Sequence, residues 1–342
     1  MMRLLVFVSV MATFLGPILA QSPGVESSRS TPPTIDGVML EAYVDGIVTA
    51  HMRQHDTPGV TVGIVLDGRP LFAKGYGFSD IEQDKPVLGD ETLFRIGSVS
   101  KTFIWSSVLI LVERGQLDLD TDVNQYLNGV EIPSTFDEPV SLNHLMAHRA
   151  GFENTLAVFT HADDTEMSLT DALNRDMPAR VFPPGARTSY SNWGSTLASK
   201  IVADVSGKPY ERFVHEEILA PLGMTNTTMK GPGNMPADLR KQLAIGYEMK
   251  NGAPKPAEFM QLGPYAPAGA IASSAADMAR WMLVHLGGGQ YDGVHLMTPE
   301  THELMWTRAF PDRLSGADLA HGFMTRPYYG YATYGHGGAT SA

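Results

Sequence analysis

Three short stretches of the chain hold side chains whose types and spacing can do chemistry. In FRIGSVSKTF, residues 94–103, Ser98 precedes Lys101 by three positions at the mouth of an apolar segment. On a helix that spacing puts hydroxyl and amine on one face, within reach of each other. A helix N-terminus favours a developing oxyanion, and a lysine among apolar residues can lose its proton near neutral pH, so the pair can work as an activated serine. In FPPGARTSYSNWG, residues 182–194, Tyr190 and Asn192 follow a Pro-Pro-Gly turn. A tyrosine near a cationic lysine can be held as phenolate or share its proton and serve as general base, while the amide orients substrate and lysine. In YGHGGATSA, residues 334–342, His336 is followed by Gly337, Gly338 and Ala339. Glycines suit a strand against which a substrate must lie closely. Taken singly, the first stretch also fits a helix cap with a solvated lysine, and the second an aromatic packing residue beside a loop asparagine.

The elements that must position these residues can be read from periodicity. Leu40, Tyr43, Val44, Ile47, Val48, His51 and Met52 recur at three and four residues and predict one apolar stripe on a helix. Residues 59–77 read as two strands around Asp67-Gly68, a pair suited to a tight hairpin turn. Residues 99–113 are apolar on most sides and predict a buried helix ended by Gly115. Amphipathic helices are expected up to Gly207 and up to Pro221, and Ser274 with Asp277 forms a capping-box pattern for a helix through Trp281 to Leu286. Strands first, helices in the middle and strand-like text again at residues 328–339 predict an α/β (α+β type) fold: a sheet whose halves come from opposite ends of the chain, with an inserted, mostly helical region.

Composition narrows the function further. A net charge of −12 without any basic run argues against nucleic acid as a partner. The absence of cysteine excludes a disulfide framework, a thiolate metal site and a cysteine nucleophile. Arg3, an apolar stretch, Gly16-Pro17 and Ala20 give residues 1–20 the layout of a cleaved secretory signal, so export to a periplasmic or extracellular compartment is expected, with no stable membrane span afterwards. Residues 21–34, rich in Ser and Pro, read as a flexible leader, and a hydrolase domain is expected over 35–342. His144 and His148 have a spacing that can hold zinc, but no acidic residue stands between them and they are read as a packed or capping pair. Asp163, Asp164 and Glu166 are read as a solvated loop, so no metal and no cofactor is expected. Alternation on a strand accounts for Tyr328, Tyr329, Tyr331 and Tyr334 without a ligand.

The three stretches occur in the order Ser98, Tyr190, His336, and further blocks accompany them: residues 57–77, 142–152 (LNHLMAHRAGF), 216–227 (EEILAPLGMTNT) and 267–282 (PAGAIASSAADMARWM). With these the chain resembles the serine β-lactamase superfamily, on the side of class C β-lactamases, D-alanyl-D-alanine carboxypeptidases, D-aminopeptidases and related esterases. The resemblance implies a β-lactamase/transpeptidase-like antiparallel sheet flanked by helices. It implies Ser98 as the acylated nucleophile, Lys101 and Tyr190 as the proton carriers, and Asn192 as a holder of substrate and Lys101. The N–H groups of Ser98 and Ala339 would form an oxyanion hole beside the His336-Gly337-Gly338 segment.

The family's third motif is usually Lys-Thr-Gly, and His336 and Gly337 replace its lysine and hydroxyl. A neutral histidine binds an anion weakly, which tilts the reading toward a small ester or amide, of the esterase or D-aminopeptidase kind, with a small-molecule or peptide-like substrate. A class C-like β-lactamase and a catalytically silent penicillin-binding-type module are the alternatives. The resemblance also implies that the last strands and terminal helix are missing, so the strand carrying His336 is expected to lack a neighbour and leave backbone groups unpaired.

Overall fold

The computed structural model describes residues 12–15, 36–155, 167–311, 318–329 and 331–340. Asp163, Asp164, Glu166 and the leader 21–34 lie outside them, as does most of the segment read as a signal.

Seven strands and four helices suffice to place the site. Strand β1 spans Ala12–Leu15, helix α1 Gly37–His55, and the strands of the expected hairpin are β2, Gly59–Leu66, and β3, Arg69–Asp80. The hairpin turns on Asp67 and Gly68 with φ of 51° and 73°, the left-handed torsions that an Asp-Gly pair accepts with little strain. Strand β4, Phe94–Arg95, leads into a 3₁₀ turn at Gly97–Ser100 and then into helix α2, Lys101–Glu113. Helix α3 is Asn192–Ser206, closed by Gly207 at φ 68°. Strand β5, Ala272–Ser273, precedes helix α4, Ala275–Leu286, whose Ser274 side chain accepts from the Asp277 N–H as the capping pattern predicts. Strands β6, Met324–Tyr328, and β7, Tyr331–His336, close the described chain.

Helix α2 is the axis of the core. Every residue from Lys101 to Leu111 is buried. Polar residues are tolerated there because each hydroxyl bonds within the helix: Thr102 to the carbonyl of Val99, Ser106 to that of Thr102, Ser107 to that of Phe103. Phe103 stacks on Trp281 of α4 at 4.2 Å, and the indole N–H of Trp281 donates to Thr102 at 3.1 Å. Helix α4 packs on β1, β2 and β3, so one helix face backs strands from distant parts of the chain.

Two expectations are corrected. The sheet does not join the N-terminal hairpin to the C-terminal strands: β2 and β3 form a three-stranded sheet with Lys85–Pro86, whereas β7 belongs to a separate four-stranded sheet. Nor does β7 lack a neighbour. It pairs antiparallel with β6 on one side and with β1 on the other, Ala12 opposite His336 and Leu15 opposite Thr333, so backbone groups from within the expected signal segment satisfy its second edge. The predicted stripe on α1 also differs. Leu40, Val44, Val48 and Met52 keep half-buried places on it, whereas Tyr43 (67% exposed) and Ile47 (51%) face outward, and the helix is also fastened by Lys74 of β3 bonding Glu41 and Asp45 at 2.8 Å each, with the Tyr76 hydroxyl donating to Asp45 at 2.7 Å. Tyr328, Tyr329 and Tyr331 are exposed, and only Tyr334 turns inward, against Trp306 at 4.7 Å. No helix among the described residues is long and apolar enough to cross a membrane.

Removing the indole that ties α4 to α2 creates a large void and leaves Thr102 without its donor. Trp281→Ala is expected to lower the free energy of unfolding by about 3–5 kcal/mol in a urea titration, whereas Tyr43→Ser on the exposed face of α1 changes it by less than about 0.5 kcal/mol.

Candidate active site

Ser98 stands in the Gly97–Ser100 turn because the flanking chain is pinned on both sides. Strand β4 pairs with β5, Ile96 N–H donates to the Ile271 carbonyl at 2.9 Å, and the Ser100 hydroxyl accepts from Ile271 N–H at 3.2 Å. Lys101, one turn on, is fully buried. Its Nζ lies 3.0 Å from Ser98 Oγ and donates to the Ala268 carbonyl at 2.7 Å. That carbonyl ends the 3₁₀ segment Gly263–Ala268, so the two segments flanking the serine also position the amine. Burial pulls the Lys101 pKa down to about 7.

The Tyr190 ring lies 5.1 Å from Lys101 Nζ. Burial raises its pKa to about 12, so at neutral pH it is a phenol rather than a phenolate. The two groups are thereby driven apart, so that near neutral pH a readily deprotonated amine stands beside a protonated phenol.

His148 holds Tyr190 in place. The N–H groups on either side of the tyrosine, those of Ser189 and Ser191, donate to the His148 carbonyl at 2.7 Å and to its Nδ1 at 3.2 Å, and the two rings sit 4.4 Å apart. His148 takes φ 51°, outside the helix Leu142–Met146, while His144 makes the capping box with Ser141 inside it. The reading of the two histidines as packed and capping residues therefore fits, but the clamp on Tyr190 carried no sequence signal beyond the LNHLMAHRAGF block.

The third stretch divides. Ala339 lines the recess at Ser98 together with Asn192, Met260, Leu262, Tyr265 and Gly269. Gly338 and Gly97 let it come so close: a Cβ on Gly338 would lie 1.9 Å from the Ile96 carbonyl oxygen and 3.1 Å from Ser98 N, and one on Gly97, at φ 53°, would lie 2.7 Å from Ala339 N. His336 is buried behind this contact, its ring 6.3 Å from that of Tyr190 and its Nδ1 2.6 Å from the Gly337 carbonyl. Burial, and secondarily Lys101, pull its pKa to about 4, so it is neutral at physiological pH. Asn192 shares the recess, yet the hydrogen bonds of Lys101 run to Ser98 and Ala268 rather than to the asparagine. The Ala268 carbonyl was invisible in the sequence, since a main-chain acceptor has no residue signature.

A family model for the beta-lactamases matches residues 44–342. The chain belongs to the beta-lactamase family. It is 26% identical over 251 residues to Protein flp of Staphylococcus aureus strain N315, covering 72% of this chain and 49% of that protein. It thus spans about half the length of these staphylococcal relatives. A beta-lactamase of Providencia stuartii is 28% identical over 297 residues, 83% of this chain and 73% of the relative. Among solved structures, the octameric penicillin-binding protein homologue from Pyrococcus abyssi superposes with a TM-score of 0.73 at 28% identity, over 87% of this chain and 68% of that one. D-alanine carboxypeptidase AmpC from Burkholderia cenocepacia superposes with a TM-score of 0.64 at 25% identity, over 86% and 76%.

A buried amine with a lowered pKa is a stability handicap whose size depends on pH. Below the folded value of about 7 the amine is protonated in both states and the handicap is complete; it shrinks as pH rises toward the ordinary lysine value of 10.5. Lys101→Met, which keeps the length and removes the charge, is expected to unfold at higher denaturant than the parent at pH 6, with the difference narrowing steadily between pH 7 and pH 10. Parallel denaturant curves across that range check it.

Proposed function

We propose that the chain is a serine hydrolase that forms an acyl-enzyme on Ser98 with a small ester or amide. The observation that carries this reading is the buried Lys101 amine, 3.0 Å from Ser98 Oγ and with its pKa near neutrality. The neutral amine accepts the hydroxyl proton as Oγ attacks the carbonyl carbon. The N–H groups of Ser98 and Ala339 receive the developing oxyanion, for which the Gly97–Gly338 contact is the supporting geometry. The C–O or C–N bond breaks as Tyr190 passes a proton to the leaving group and is reprotonated from Lys101. Water, deprotonated by the same pair, then attacks the acyl carbon, releases the acid and restores Ser98.

The substrate class follows from charge. His336 is neutral and buried, and the recess is lined by Met260, Leu262, Tyr265 and small residues with no cationic side chain among them. Among the described residues of that lining a substrate carboxylate meets only the uncharged Ser98 hydroxyl and Asn192 amide, which favours an ester with a compact apolar acyl group over β-lactams or D-alanyl-D-alanine peptides. Beta-lactamase activity is the second reading, favoured by the Providencia relative. The arrangement of residues 1–20 supports export of the enzyme, and their removal on export would free the edge of β7 that residues 12–15 pair.

A fluorophosphonate is expected to add to Ser98, seen by mass spectrometry of the tryptic peptide, and p-nitrophenyl acetate to be turned over faster than a chromogenic cephalosporin or a D-alanyl anilide. Ser98→Ala should cost at least about a thousandfold in kcat/KM, and Tyr190→Phe about a hundredfold or more. The parent's kcat/KM should rise with pH through about 7 as Lys101 loses its proton. Absence of an adduct and of turnover would instead support a silent binding module, and preference for the cephalosporin would reverse the substrate assignment.

A further inference from the structure

A second cavity, of about 300 Å³, opens beside β4 on the far side of the serine turn from the recess. It lies between the start of β2, the end of β3 and residues 240–259, and Thr340, next to Ala339, reaches its edge. Its walls are largely aromatic: Phe78, Phe94, Tyr247 and Phe259. Phe78 is 43% exposed and Ile245 37%, so apolar surface is presented at the mouth as well as inside.

One feature of this cavity does not fit an apolar void. Arg95 lines it, and its Nε and Nη1 are buried without a hydrogen-bond partner among the described residues. Burial draws its pKa down to about 10, which leaves the guanidinium charged at neutral pH. The Phe259 ring lies against it, 4.3 Å from the guanidinium carbon, and holds its plane. A buried charge with unmet donors costs stability unless an anion completes it. Arg240 stands at the exposed side of the same cavity and adds positive potential there.

We propose that this cavity is a binding site, separate from the recess at Ser98, for a small amphipathic carboxylate, its carboxylate paired with Arg95 and its apolar body among Phe78, Phe94 and Phe259. The guanidinium fork matches a carboxylate bidentately. The walls around Arg95 are mainly apolar, with Phe78, Phe94, Ile245 and Phe259, and suit an aryl or alkyl chain better than the additional charge of a phosphate. The inference stands independently of the hydrolase reading, because none of these residues lines the recess at Ser98.

Titration of the purified full chain with 4-phenylbutyrate, followed by calorimetry, tests it against the neutral 4-phenylbutanol. Saturable binding of the acid is expected, with the alcohol at least about tenfold weaker, as loss of a charge-assisted pair requires. Arg95→Met should weaken the acid by about tenfold or more and bring acid and alcohol together. Because Arg95 lies in β4 and its replacement can disturb folding, Phe259→Ala supplies the second variant, checked by circular dichroism; it removes the face on the guanidinium together with part of the apolar wall and should weaken the acid severalfold. No saturable binding at millimolar acid, equal binding of acid and alcohol, or an affinity untouched by Phe259→Ala would each overturn the proposal.

Discussion

The centre of this molecule depends on one amine kept out of water. Lys101 is wholly enclosed by α2 and the segment that ends at Ala268, and its hydrogen-bond partners are a hydroxyl and a carbonyl, both uncharged. A carboxylate in the same place would hold the ammonium form and keep its pKa high. The surroundings obey the same constraint. His148 and His336 are both kept neutral by burial and, secondarily, by Lys101, and Tyr190 keeps its proton. Three basic side chains thus share a small volume with little charge among them, which is possible only because the core around α2 excludes solvent.

The framework around that amine is main chain rather than side chain. Strand β4 against β5, the Ile96 to Ile271 bond and the Ala268 carbonyl fix one wall; the two bonds from Ser189 and Ser191 to His148 fix the other. Side chains with chemistry are set on a scaffold whose own specificity comes from register and turn geometry.

Legibility in the sequence follows the same division. The meeting of Ser98, Lys101 and Tyr190 could be read because residue type and motif spacing point to it, and the buried helix and the Asp67-Gly68 hairpin because local periodicity and torsion preference decide them. Backbone acceptors could not be read: Ala268 is an ordinary alanine until the fold brings its carbonyl to Lys101. His336 could be named but not placed, since its burial depends on how β7 seats against the serine turn. The stripe on α1 was read too wide: Leu40, Val44, Val48 and Met52 are half-buried, while Tyr43 and Ile47 lie outside and the bonds of Lys74 to Glu41 and Asp45 complete the attachment. The pairing of β7 with residues 12–15 rests on contacts between opposite ends of the chain, which no local pattern encodes.

The close approach of residues 338–339 to residues 96–98 also sets an order of events during folding. The β2–β3 hairpin and α2 are built from short-range contacts, whereas this approach joins segments far apart in the chain. Closing so long a loop is slow relative to local folding. Residues 331–339 therefore dock late, and until they do the recess beside Ser98 lacks the wall that Ala339 supplies.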